Sequence, residues 1–180
     1  IYKNLWLPLG MRRSYFGATP YHLAPLRSNN YTLRMDSGRT AEVRDNGRDF
    51  DPGITIPNGG WNAPMGDLVT WVAFLTGSPA NDTILSRRTL EEMWQPVVVV
   101  DTLSPLREWM GLGFFVLRRN GVTLIGHTGE QAGFRSFMYA NPARRTAVIM
   151  CVNTTNEVHP AESGKAFQRV VAAATGLLAQ

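Results

Sequence analysis

Residues 121–153 read GVTLIGHTGEQAGFRSFMYANPARRTAVIMCVN, and the hydrophobic rhythm of this stretch decides the fold. Three apolar segments are interrupted by GEQAG and NPARR, both built from turn-forming residues. Just upstream, LGFFVLRR ends in Asn120-Gly121, the dipeptide best suited to a two-residue hairpin turn. Four strands in close succession predict an antiparallel meander. Phe137 and Tyr139 alternate with Phe134 and Met138, so both faces of the sheet are apolar and helices should cover both. Phe167, Val170, Val171, Ala174, Leu177 and Leu178 form a stripe on a C-terminal helix and supply one cover. The other cover is not apparent within the chain. The expected class is α+β, an antiparallel meander packed with helices.

Outward from this core the pattern changes. Residues 1–20 read as a helix tail closed by Pro8 and Gly10, followed by an extended stretch. From Pro20 to about Asn58 the chain is rich in Asn, Asp, Arg, Gly and Pro, with short alternating pieces such as YTLRM and AEV, which predicts loops and a small hairpin. In NAPMGDLVTWVAFLTG, the residues Met65, Leu68, Trp71, Val72 and Leu75 recur at helical spacing, Pro64 suits a first turn, and Gly77 ends it. Ser86 caps a second helix with Leu90, Met93 and Trp94 on its apolar face and Pro96 just beyond. A linker containing Ser104-Pro105 leads into the strands. We divide the chain into a helical and loop-rich region, 1–100, and the sheet with its C-terminal helix, 101–180, as parts of one incomplete domain.

The 180 residues, 44% hydrophobic and 18% charged, suffice for one globular domain with a real core. No apolar run approaches the roughly 20 residues a membrane helix needs. The first residues have neither the charged nor the long apolar part of a signal peptide. They begin in mid-pattern without Met, from which we expect a portion of something longer. The net charge of +4 is carried by arginines in ones and twos along the whole length, a dispersal that argues against a nucleic-acid stripe. Cys151, the single cysteine, lies in an apolar strand pattern and is expected to be a buried, inert thiol. His22, His127 and His159 have no metal-ligand spacing, and we expect neither a metal nor a cofactor.

Gly126 and Gly129 flank His127 and Thr128 at the end of a strand. A backbone that can be approached closely there presents an imidazole and a hydroxyl to an adjoining cleft. The N–H groups of an exposed strand edge could bind an oxyanion or an extended substrate. On spacing alone, a hairpin with His and Thr merely at the surface is the preferred reading of the pattern.

The order of motifs carries more. LWLPLGMRRSYF, PNGGWNAPMGDLVTWVAFL, ILSRRTLEEMWQP, GLGFFV and GHTGEQAGFRSFMYANPARRTAVIMCVNT follow one another as the corresponding segments do in the serine β-lactamase, penicillin-binding protein and esterase superfamily. The chain resembles above all its class C and D-aminopeptidase-like branch. The resemblance implies the C-terminal part of a β-lactamase/transpeptidase-like fold and an acyl-enzyme mechanism on small ester or amide substrates. His127-Thr128-Gly129 then corresponds to the third family motif, K-T-G or H-x-G, on the strand that walls the cleft. By that correspondence Thr128 offers its hydroxyl to a substrate carboxylate or carbonyl. His127 supplies positive potential or a proton-shuttling imidazole. Gly129 keeps the wall flat, and the backbone N–H of Glu130 is one of two oxyanion donors. A His in place of Lys favours an esterase or peptidase over a β-lactamase.

The nucleophile is missing. The family needs Ser and Lys in S-x-x-K and a Tyr in Y-x-N, and no serine of this chain is followed three places on by lysine. Tyr2-Lys3-Asn4 fits Y-x-N literally, but LPLGM follows within a few residues, where the family places a whole helix. We therefore expect the partner of this chain to be an N-terminal half of the same protein carrying both motifs. The alternative is a non-catalytic relative that keeps the fold as a binding module. Ala63-Pro64 replaces the family's Ser-Thr, so a helix cap must come from elsewhere, with Asn62 as the candidate. Asp67 reads as a first-turn dipole partner, and Glu130, Gln131 and Arg135 as rim residues. The family is often exported, but the compartment of this chain is left open.

Overall fold

The computed structural model describes residues 1–47, 51–77, 84–101 and 108–180. The Ser104-Pro105 linker lies outside the described residues. A π-helical turn, Tyr2–Trp6, runs into helix α1 (Leu7–Leu9), which stops at Gly10 in the left-handed conformation, φ 77°. This is the helix tail that the sequence predicts.

The loop-rich stretch holds strands β1 (Tyr15–Phe16), β2 (Tyr31–Met35) and β3 (Ala41–Asp45), with β2 and β3 paired as an antiparallel hairpin. A short helix α2 (Ile56–Gly59) precedes β4 (Trp61–Asn62), which pairs with β1. Helices α3 (Met65–Leu75) and α4 (Arg87–Met93) follow. Ser86 caps α4 as expected, its side chain accepting a hydrogen bond from the Thr89 N–H. Pro64 is the N-cap of α3 without a side-chain bond, and Asn62 instead donates to the Gly60 carbonyl at 3.1 Å. Asp67, in the first turn of α3, is buried and accepts from the Arg13 N–H at 3.1 Å and the Ser14 hydroxyl at 2.9 Å. Its carboxylate thus ties α3 to the segment after α1.

The main sheet is an antiparallel meander of six strands: β5 (Val98–Asp101), β6 (Glu108–Met110), β7 (Phe115–Arg119), β8 (Val122–Gln131), β9 (Phe134–Asn141) and β10 (Thr146–Val152), in that spatial order. The sequence reading finds the last four and passes over β5 and β6. The four-valine run at 97–100 is itself a strand signal, here placed at the sheet edge. After β10 a short strand β11 (Thr154–Asn156) pairs parallel to β2, and helix α5 (Pro160–Leu178) completes the chain.

Both faces of the sheet are covered from within the chain. On one, Leu117, Leu124, Phe137 and Tyr139 pack against Val171, Ala174 and Leu178 of α5. On the other, Phe114, Ile125 and Ala140 pack against Val72, Phe74 and Leu75 of α3 and Leu90 of α4. The second cover is therefore not absent: α3 and α4 provide it. Its phase differs from the expected stripe, because α3 is apolar on nearly every side and Phe74 turns inward while Met65 is exposed. On α5, likewise, Val170 and Leu177 face outward and Thr175 is buried. Cys151 is exposed rather than buried. The all-apolar pattern of β10 misleads because, among the described residues, β10 is an edge strand paired only with β9. Partial desolvation still pushes its thiol pKa up.

An apolar groove of about 590 Å³ runs between α3 and β10, floored by Val69, Val72, Ala147 and Ile149. No helix of the described residues is long and apolar enough to cross a membrane.

Candidate active site

His127, Thr128, Gly129 and Glu130 lie together in the last half of β8. What distinguishes this half is that β7 no longer accompanies it: the β7–β8 ladder runs from Arg119↔Val122 to Phe115↔Gly126, whereas β8–β9 continues to Gln131↔Phe134. The parity of the ladder follows from the two turns. A two-residue hairpin loop is flanked by a pair that exchanges both main-chain hydrogen bonds, and bonding then alternates along the strand. From Gln131↔Phe134, the main-chain groups of Gln131, Gly129 and His127 face β9. From Arg119↔Val122, those of Val122, Leu124 and Gly126 face β7. The two turns agree, and both direct the N–H and C=O of Thr128 and Glu130 to the side that β7 has left.

The His127 ring leans over this open edge. It stacks on Phe115 with centroids 4.4 Å apart and an interplanar angle of 15°, and its Nδ1 lies 2.5 Å from the Thr128 carbonyl oxygen. A ring nitrogen that close to a carbonyl carries the proton and donates. The imidazole and the Glu130 carboxylate are exposed, and Thr128 is half-buried.

Glycine clears the space under the site. An added Cβ on Gly126 would stand 2.1 Å from the Met138 carbonyl oxygen and 2.6 Å from the Tyr139 ring. Gly126 lets Tyr139, directly opposite, lie flat across β8. The Tyr139 hydroxyl donates to the Glu108 carboxylate at 2.8 Å, and burial followed by that negative charge raises its pKa well above the ordinary tyrosine range. At Gly129 an added Cβ would meet only the Ser136 hydroxyl, at 3.1 Å.

Rim residues hold the wall in place. Arg135, opposite Glu130, donates to the Glu130 carboxylate at 2.7 Å and to the Ser163 hydroxyl at 3.1 Å, with its guanidinium over the Phe167 ring. Gln131 donates to the Gly59 carbonyl at 3.2 Å, joining the Gly59-Gly60 turn to the end of β8. Sequence reasoning missed the support behind the β8–β9 turn. Gly133, at φ 74°, gives its N–H to the Thr155 hydroxyl at 3.2 Å. Thr155 meets Thr32 at 3.2 Å, and Asn46 donates to Thr32 at 2.9 Å. Three segments far apart in sequence meet there, and only the glycine signalled it. Among the described residues, no three His, Cys, Asp or Glu side chains gather as a metal would require.

The sequence model of the Beta-lactamase family matches residues 1–173. Among solved structures, the octameric penicillin-binding protein homologue from Pyrococcus abyssi is 21% identical, with a TM-score of 0.67 over 95% of this chain and 36% of that one. The D-amino acid amidase from Ochrobactrum anthropi SV3, complexed with L-phenylalanine amide, is 20% identical, with a TM-score of 0.68 over 97% of this chain and 49% of that one. A D-stereospecific amidohydrolase from Streptomyces sp. is 23% identical, with a TM-score of 0.62 over 84% and 42%. The chain thus spans from about a third to a half of the length of these relatives. No curated protein matches it by sequence. With a family match over nearly its whole length and the fold of these hydrolases, the chain belongs to the Beta-lactamase family.

Proposed function

We propose that this chain is the C-terminal portion of a serine hydrolase that works through an acyl-enzyme on small ester or amide substrates. The observation that carries the reading is the open edge of β8, where Thr128 and Glu130 turn main-chain groups outward beside the His127 imidazole. An N-terminal half of the same protein brings the nucleophilic Ser, its Lys and the Tyr. Its contact surface includes the free edge of β10 and the groove beside α3. When the Ser hydroxyl attacks the carbonyl, the Glu130 N–H donates to the oxygen that gains negative charge, with the nucleophile's own N–H as the second donor. The Thr128 hydroxyl orients the substrate, and the His127 imidazole shuttles the proton that leaves or returns. Gly129 leaves the wall free of side-chain bulk. The substrate class includes amides, as in the amidases named above.

Intact-mass measurement of the full-length protein after exposure to an activated ester tests this. We expect a covalent acyl adduct on an upstream Ser, and Thr128→Val and His127→Ala should each slow its formation about 100-fold or more with folding preserved. Full-length protein that folds and forms no adduct would overturn the reading in favour of a binding module.

A further inference from the structure

We propose that the end of the sheet remote from β8's open half holds a second binding site, one for a phosphate group. The sequence disperses its arginines, but three of its four Arg-Arg pairs, 87–88, 118–119 and 144–145, stand at the start of α4, the end of β7 and the β9–β10 turn. The fold brings one member of each pair to a single groove of about 440 Å³, lined by Arg87, Arg118 and Arg144 together with Trp94, Glu91 and Asn141. Val122 at this end and Glu130 at the other are eight residues apart along one strand, about 26 Å at 3.3 Å per residue. The groove is therefore distinct from the candidate active site.

Its charge is not balanced from within. Arg87 donates to Glu91 at 2.7 Å and lies 4.9 Å from the centre of the Trp94 ring. Arg118 rests on the Trp109 ring at 5.9 Å, and Arg144 is exposed. Neither Arg118 nor Arg144 has a hydrogen-bonding or ion-pair partner for its guanidinium among the described residues. One carboxylate against three guanidiniums leaves the groove doubly positive. Trp94 is only 6% exposed, and its ring forms an apolar wall under the Arg87 guanidinium. Planar guanidiniums from three separate elements suit the tetrahedral oxygens of phosphate, which offer several acceptors to several donors at once.

The chemistry is shared by a free phosphate compound and a lipid headgroup, and the test separates them. Full-length protein is titrated calorimetrically with inorganic phosphate and with pyrophosphate, and sedimented with phosphatidylglycerol or phosphatidylcholine vesicles. Arg118→Ser and Arg144→Ser should each weaken binding roughly tenfold, while Arg88→Ser, paired with Glu92 outside the groove, should leave it unchanged. Binding in solution that follows this pattern supports a soluble phosphate ligand. Sedimentation with phosphatidylglycerol alone, lost in the same two variants, supports a headgroup. Absence of binding in every arm, or binding that survives Arg118→Ser and Arg144→Ser, would overturn the proposal.

Discussion

Replacing Gly126 by alanine should destabilise the protein far more than the same change three residues along at Gly129. At Gly126 the new Cβ would stand 2.1 Å from a backbone oxygen of β9 and 2.6 Å from a ring atom of fully buried Tyr139. Ordinary contact needs roughly a further ångström in each case, and neither obstacle is a flexible side-chain tip. β8 and β9 must part locally, straining the flanking hydrogen-bonded pairs Ile125↔Ala140 and His127↔Met138. Overpacking of about 1–3 kcal/mol and two weakened hydrogen bonds at about 1 kcal/mol each give a loss of roughly 3 kcal/mol or more. At about 2–4 °C per kcal/mol for a chain of this size, the melting temperature should fall by roughly 6–12 °C. Gly129→Ala meets only the Ser136 hydroxyl, which can rotate away, and should cost about 1 kcal/mol or less. Thermal unfolding followed by circular dichroism compares the two variants directly. Equal losses, or a Gly126→Ala loss under about 1 kcal/mol, would refute the steric reasoning.

Two further outcomes rest on buried polar groups. Asn141 is fully buried, donates to the Leu178 carbonyl at 2.8 Å and accepts from the Arg144 N–H at 3.1 Å. Asn141→Ala should cost about 1–3 kcal/mol in urea unfolding, and an unchanged midpoint would count against this role. Tyr139 has its pKa raised by burial and by Glu108, so the folded state keeps its proton while the unfolded chain loses one near pH 10. Its contribution is therefore complete below about pH 10 and is lost progressively above it. Stability measured on both sides of that pH should fall less steeply in Tyr139→Phe than in the parent.

Much of this was legible beforehand, for local reasons. Asn120-Gly121 sets the β7–β8 turn, with φ values of 50° and 76°, and the same turn chemistry fixes the parity that exposes Thr128 and Glu130. Ser86 signals its cap within three residues. Where the reading failed, the deciding interaction was distant. The phase of α3 could not be read because Met65, Leu68, Val69, Trp71, Val72, Phe74 and Leu75 leave scarcely a polar side. The sheet selects Phe74, and Asp67 is fixed by a segment more than fifty positions earlier. Cys151 depends on what lies beyond β10, which no strand pattern reveals. At the candidate site, the motif marked His127 to Glu130, whereas the Gly133, Thr155, Thr32 and Asn46 contacts behind it join residues that no local pattern relates.

That cluster also bears on the order of folding. β2 and β11 run parallel, and their contact through Thr32 and Thr155 closes a loop of 123 residues. Local hairpins such as β7–β8 and β8–β9 close in microseconds, while a loop of this length pays its closure entropy before any contact repays it. The β8–β9 tip should therefore form early and gain its outer brace late, once the first third of the chain has found the last strand. Until that moment the wall of the cleft exists as a hairpin with an unsecured end.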